Sequence, residues 1–179
     1  MLKADSTALV VVDMQEKLFN VMKDKEDLLG SMLKMVRGAK ILGLPIVFTE
    51  QNPKGLGPTL SVLAEELQGF EPVTKLSFSC CGETRFMEEL RKLEGRTILI
   101  GGIEAHVCVY QTVRDLVRLG FPVQVVADCV SSRTKFNRSM GQEKCKEVGA
   151  SLTTVEMALF EMLEVAEGEK FKKMLPVLK

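Results

Sequence analysis

Four short runs of almost uninterrupted apolar residues, at 8–12 (ALVVV), 45–49 (PIVFT), 97–100 (TILI) and 123–127 (VQVVA), set the strongest limit on how this chain can fold. A strand with one face in water alternates apolar and polar residues, whereas a strand covered on both faces reads as a continuous run rich in Val, Ile and Leu. These runs are therefore expected inside a parallel sheet with helices on both sides. The segments between them supply the helices. Residues 27–42 place Leu28, Leu29, Met32, Met35, Val36 and Ala39 at helical spacings, and Gly43 with Pro45 ends the pattern. Segments 83–93, 107–119, 137–148 and 156–163 read as further helices, and 170–177 as a short closing helix interrupted by Pro176. Two weaker strand candidates, 72–76 and 151–155, keep β-branched character diluted by Thr.

Strands alternating with helices predict an α/β fold, a three-layer α/β/α sandwich built on a six-stranded open sheet. A (β/α)₈ barrel typically needs ~250 residues, more than the 179 available. No repeat, low-complexity tract or shift in composition divides the chain, so residues 1–179 read as a single domain. The longest stretch without periodicity, 51–59, contains Asn52, Pro53, Lys54, Gly55, Gly57 and Pro58. It follows a strand, on the side where open α/β sheets bind ligands.

Charge and cysteine usage narrow the function classes. Lys plus Arg and Asp plus Glu both number 24, a formal net charge of +0, which offers no electrostatic case for nucleic-acid or anionic-membrane partners. The one basic cluster, Lys170, Lys172, Lys173 and Lys179, stands beside Glu167 and Glu169 and reads as a solvated surface. No stretch approaches the ~18 apolar residues of a membrane span. The five cysteines are odd in number, and the apolar run at 8–12 is too short for a secretory leader and is broken by Asp13. Free thiols in a reducing, cytoplasmic compartment are expected. Cys80 and Cys81 are adjacent, and Cys129 and Cys145 lack metal-ligand spacing, so no zinc set is formed; most read as inert thiols, with Cys80 or Cys81 as a candidate border of the pocket.

Three reactive residues stand at the ends of different strand candidates. Asp13 closes LVVVD, where it is either a turn residue or a general base at the ligand-binding edge. Lys75, in VTKLSFS, is either an edge-strand lysine or a cation beside that carboxylate. Cys108 follows TILIGGIEAHV at the start of a helix candidate. It is either a small buried hydrophobe or a nucleophile whose thiolate the helix N-terminus favours. Together they can act as a triad: the aspartate takes the thiol proton, the sulfur attacks an electrophilic carbon, and water releases the acyl group. Gln15 and Gln51 are suited either to orient a substrate carbonyl or amide or to satisfy loop backbone, and Phe19 and Phe78 either to wall a small substrate or to fill core. His106, the only histidine, is two residues from Cys108, a spacing that does not face it on a helix, so a loop or interface role is the stronger reading.

The runs VVDMQ (11–15), TEQNPKGLG (49–57), TKLSFS (74–79), GGIEAHVCV (101–109) and VADCVSSR (126–133) resemble the isochorismatase-like, or cysteine hydrolase, superfamily. Within it the chain is most similar to the isochorismatase domain-containing group, from residue 8 to the end. The resemblance implies a six-stranded parallel sheet in the order 3-2-1-4-5-6, with Asp13, Lys75 and Cys108 as the catalytic residues. It also implies a cis peptide between Ile103 and Glu104, an oxyanion region formed by Ile103, Glu104, Val107 and Cys108, and a homo-oligomer.

Nicotinamidases of the superfamily carry an Asp-x-His metal motif where this chain has EQNPKGLG, and the lone His106 cannot complete it. No metal and no cofactor are therefore expected. Isochorismatases proper lack the nucleophilic cysteine, which makes vinyl-ether hydrolysis a weaker fit. The expectation is a metal-independent cysteine hydrolase acting on a small-molecule amide, imide or related carbonyl compound through a thioester. A vinyl-ether hydrolase and a noncatalytic small-molecule or protein-binding domain are the alternatives.

Overall fold

The computed structural model describes residues 1–179. Six strands form one sheet: β1 (Thr7–Val12), β2 (Ile46–Gln51), β3 (Val73–Lys75), β4 (Thr97–Ile103), β5 (Val123–Ser131) and β6 (Ser151–Thr153). Their order is β3-β2-β1-β4-β5-β6, with every pair parallel. All six residues of β1 are buried, as its unbroken apolar run requires of a central strand covered on both faces.

Helices α1 (Glu16–Phe19), α2 (Lys25–Leu42), α3 (Pro53–Leu56), α4 (Ser61–Glu66), α5 (Thr84–Arg91), α6 (Tyr110–Arg118), α7 (Lys135–Glu147), α8 (Val155–Leu163) and α9 (Gly168–Leu178) complete the fold. One core joins Leu9, Val11, Leu99 and Val126 to Met32, Met35 and Val36 of α2 and Leu159 of α8. The other joins Val10, Ile98, Ile100 and Val125 to Phe86 of α5 and Val113 and Leu116 of α6. Successive residues of β1 enter opposite clusters, the period of two that makes a sheet two-faced.

Several boundaries differ from those read in the sequence. Strand β5 continues through Asp128 and Cys129 to Ser131, with a shift of register against β4 between Ile100 and Gly102 that accommodates the polar interruption. The expected helix at 107–119 is two elements, a π-turn at Ala105–Val109 followed by α6. Pro176 does not interrupt α9 but sits inside its last turn, where the missing N–H removes a single bond near a helix end.

The strand ends that carry the site are packed backbone to backbone. Val12 pairs with Gly102, which has φ 128°, and a Cβ there would run into the Val12 backbone. Only glycine fits that backbone angle and that approach. Beyond β4, Gly141 of α7 lets the helix close against the π-turn, since a Cβ would meet the Ala105 carbonyl at 2.7 Å.

Candidate active site

Asp13 is the first residue past β1 and takes a left-handed backbone, φ 52°, a conformation Asp tolerates better than most residues. Its N–H donates to the Thr49 carbonyl at 3.2 Å, and its own carbonyl accepts from Gln15 N–H at 2.8 Å. The carboxylate is thereby turned back under the loops, fully buried. Oδ1 accepts from the Thr49 hydroxyl at 2.7 Å. Oδ2 lies 2.7 Å from Lys75 Nζ, and both side chains are wholly out of solvent.

A buried pair of this kind survives only when its remaining valences are met. The ammonium is also ringed by Gln51 Oε1 at 2.6 Å and by the carbonyls of Phe78 at 3.1 Å and Ser77 at 3.2 Å. An ammonium has three hydrogens for these four oxygens. Asp13 Oδ2, the one charged oxygen of the four, is held by Lys75 as an ion pair and has no further hydrogen-bond partner. Burial pulls the Lys75 pKa down, but the Asp13 carboxylate, with Cys80 and Cys108, outweighs it and raises the net value, so the cation is secure.

Cys108 belongs to the π-turn and is 6% exposed. Its thiol is pushed up to about 12, first by burial and then by the Asp13 charge, against which Lys75 acts. This corrects the expectation that a helix N-terminus favours the thiolate. The helix α6 begins only at Tyr110, and desolvation dominates. The peptide between Ile103 and Glu104 is cis. The N–H groups of Val107 and Val109 both donate to the Glu104 carbonyl, at 3.1 and 3.2 Å. Val107 is thus already committed within the turn. Glu104 itself pairs through its side chain with Arg133 at 3.0 Å.

The remaining residues singled out by sequence divide cleanly. Gln15 is fully buried, donates to the Gln51 and Gly57 carbonyls at 3.0 and 2.6 Å and accepts from Gln51 N–H at 2.7 Å. It binds loop backbone, with no polar atom left for a substrate. Gln51 steers Lys75 through Oε1 and holds the Leu76 carbonyl through Nε2. Phe19 lies in the core on the α2 side of the sheet, which corrects its assignment to a substrate wall. Phe78 is 56% exposed, and its carbonyl, rather than its ring, meets Lys75. His106 bonds Ser132 Oγ through Nδ1 at 3.0 Å.

Two participants were not anticipated: Thr49, which orients Asp13, and Thr112, whose hydroxyl donates to the Cys108 carbonyl at 2.7 Å; of the adjacent cysteines it is Cys80 that comes near, its Sγ 3.9 Å from Thr49 Oγ1. Threonine in a strand or helix core carries no sequence signal of such a task. No three His, Cys, Asp or Glu side chains converge in an arrangement able to hold a metal ion. A cleft of about 530 Å³ reaches Lys75 along the outer edge of β3, lined also by Asn52, Pro53 and Glu83. Another of about 520 Å³, beside Leu90 and Phe121, lies at the opposite ends of the strands, away from Asp13, Lys75 and Cys108.

Known proteins share this arrangement of chain and sheet. Residues 7–157 match the family described as Isochorismatase domain. Isochorismatase domain-containing protein 2 of Xenopus laevis is 37% identical over 175 residues, covering 97% of this chain and 83% of that protein. The secreted isochorismatase effector Isc1 of Phytophthora sojae is 35% identical over 178 residues, covering 97% and 85% respectively. The structure of MAR1 ribonuclease from Caenorhabditis elegans superposes with a TM-score of 0.93 at 34% identity, over 99% of this chain and 91% of that one. YcaC from Pseudomonas aeruginosa, with a TM-score of 0.92 at 20% identity over 98% and 90%, shares the fold. A family match across most of the sequence, met by a sheet of the order that the family motifs imply, shows that the chain belongs to the isochorismatase-like superfamily of hydrolases.

Proposed function

We propose that the protein is a metal-independent cysteine hydrolase of small amides, imides or related carbonyl compounds, with Cys108 as nucleophile, Asp13 as acid and base, and Lys75 as the fixed cation. The observation that carries this reading is the division of labour on Asp13. One oxygen is anchored by the Thr49 hydroxyl, while the other is paired with Lys75 and has no further hydrogen-bond partner. As the Cys108 sulfur attacks the carbonyl carbon, Asp13 takes the thiol proton. The oxyanion forms within the field of Lys75 and against the Cys108 N–H. Protonated Asp13 gives its proton to the departing nitrogen, leaving a thioester. Asp13 then removes a proton from water, which attacks the thioester, and the Cys108 sulfur leaves with that proton.

An amide or imide suits this sequence because its nitrogen needs a proton to leave, and the thiol that supplies it is protonated at rest. The buried triad favours a small substrate over a polymer. The ribonuclease name borne by the C. elegans relative extends less well to this chain, whose net charge is +0 and whose only histidine is bonded to Ser132. The homo-oligomeric state implied by the family resemblance is part of the same proposal and is read by light scattering.

The test is a turnover screen of small amides and imides with wild type and Cys108→Ala. Wild-type turnover that Cys108→Ala abolishes supports the reading. Turnover that survives Cys108→Ala points to carboxylate chemistry of the vinyl-ether kind, and inertness across the screen favours a noncatalytic domain.

A further inference from the structure

The hydrolytic cycle leaves one thiol at the site without a task. Cys80 is free, 0% exposed, and lies in the short 3-10 turn that follows β3. Its Sγ is 3.9 Å from Thr49 Oγ1, and the Thr49 hydroxyl spends its one hydrogen on Asp13 Oδ1 at 2.7 Å. The Thr49 oxygen therefore accepts from the Cys80 thiol. A second threonine joins the two cysteines through the backbone. Cys80 N–H donates to Thr112 Oγ1 at 3.0 Å, and Thr112 Oγ1 donates to the Cys108 carbonyl at 2.7 Å. Cys80 and Cys108 are thus clasped by one side chain and served by one carboxylate. The charges of Asp13 and Lys75 act on both thiols. A cysteine that merely filled space would need none of these links, and Cys81 has none of them: it faces Asp115 and Arg118 in a separate surface hollow.

We propose that Cys80 is a resolving cysteine for Cys108, so that a hydroperoxide converts the site into a reversible Cys80–Cys108 disulfide. The inference rests on the role of Asp13 and Cys108 given above. In the first step Asp13 takes the Cys108 proton, the sulfur attacks one peroxide oxygen, the O–O bond breaks, and the departing oxygen leaves with the proton from Asp13 as water or an alcohol. Cys108 is then a sulfenic acid, its sulfur oxidised and the peroxide reduced. In the second step the Cys80 proton passes through the Thr49 hydroxyl to Asp13. The Cys80 sulfur attacks the Cys108 sulfur, the S–O bond breaks, and hydroxide leaves as water with the proton returned by Asp13. A dithiol reductant reverses the bond. The disulfide protects Cys108 from irreversible oxidation to the sulfinic acid and holds the hydrolase off while peroxide is present.

Bond formation requires the two Cβ atoms to come within about 4 Å, and the Thr112 hydroxyl is the link across which the two backbones must approach. The experiment treats the full chain with hydrogen peroxide in stepwise equivalents, alkylates the remaining thiols and maps the peptides. Wild type is expected to lose two hydrogens in mass, to yield a Cys80–Cys108 linked peptide, and to recover Cys108 labelling with dithiothreitol. In Cys80→Ala, or in Cys80→Ser if the alanine variant folds poorly, Cys108 is expected to gain two oxygens that dithiothreitol does not remove. Cys81→Ala is expected to behave as wild type. Sulfinic acid forming on Cys108 in wild type as fast as in Cys80→Ala, or a disulfide from Cys108 to Cys81 or Cys129, overturns the inference and leaves the hydrolytic reading standing. A Cys108 inert to peroxide while the other thiols oxidise overturns both.

Discussion

Asp13 holds its place through charge that has nowhere else to go. Its carboxylate and the Lys75 ammonium are both buried, and removing either partner strands the other. Breaking a buried pair from one side typically costs about 3–5 kcal/mol. Lys75→Met and Asp13→Asn should each destabilise by that order, while the double variant should lose clearly less than the sum. Urea denaturation of the four proteins in a double-mutant cycle measures the coupling. Simple additivity would mean that the pair is not held as described.

The thiols give a second expectation, in alkaline solution. Burial pushes Cys80 up to about 11 and Cys108 and Cys145 up to about 12, from an ordinary 9.0. The native state keeps these protons where the unfolded chain gives them up. The associated stability is fully present below pH 9.0 and is lost as pH rises toward 11 to 12. Each buried thiol adds at most about 1.4 kcal/mol per pH unit to the fall. Urea midpoints should therefore decline above about pH 9, and less steeply in Cys145→Ala; an unchanged slope in that variant would remove Cys145 from the account.

At this scale the sequence exposed the three residues that are chemically out of place, a carboxylate, an amine and a thiol at the ends of apolar runs. It concealed their supports. Thr49 and Thr112 read as ordinary β-branched residues and Cys80 could not be told from Cys81, because a hydrogen bond between distant segments leaves no local pattern. Gln15 and Phe19 could not be settled from their positions alone. Each had a substrate reading and a structural one, and the structure sets Gln15 on loop backbone and Phe19 in the core.

Among the elements, the long ones were legible because periodicity accumulates over many residues. Helix α2 shows its buried face through Leu28, Met32, Met35, Val36 and Ala39. Helices α1 and α3 have four residues each and α4 has six, too few for a period to emerge. The π-turn escaped for a different reason: its residues carry an ordinary helical pattern, and its close contact with Gly141 joins segments far apart in sequence. Two glycines test how tightly these elements are joined. Gly102→Ala would place a Cβ into the Val12 backbone at a φ of 128°, and should cost at least about 2 kcal/mol in chemical denaturation. Gly43→Ala, at a helix end with open space around it, strains only the local backbone and should cost less. Equal losses would show that the β1–β4 approach is looser than described.

Across the whole molecule the site is a product of sheet order. With β1 beside both β2 and β4, the chain reverses direction of growth at the centre of the sheet, and there Asp13 follows β1 while Cys108 follows β4. Lys75 reaches in from β3 across β2. The layer architecture was readable from the apolar runs alone, since a parallel sheet needs cover on both faces. The strand order came with the family motifs, because hydrophobic pattern does not say which buried strand neighbours which. With no convergent set of metal ligands on the scaffold, turnover of any substrate found should survive exhaustive chelation. Loss of activity restored by one equivalent of a transition metal would contradict this.

The central claim, that Asp13 activates Cys108 as the nucleophile, is tested most directly by acylation with p-nitrophenyl acetate, followed by intact-mass measurement and peptide mapping of folded wild type and folded Asp13→Asn. The account predicts one acetyl group on Cys108 of wild type, and acylation slower by about 10²–10⁴ in Asp13→Asn, the usual loss for a positioned base. Acylation of Asp13→Asn at the wild-type rate, or an acetyl group carried by another cysteine in place of Cys108, would contradict it.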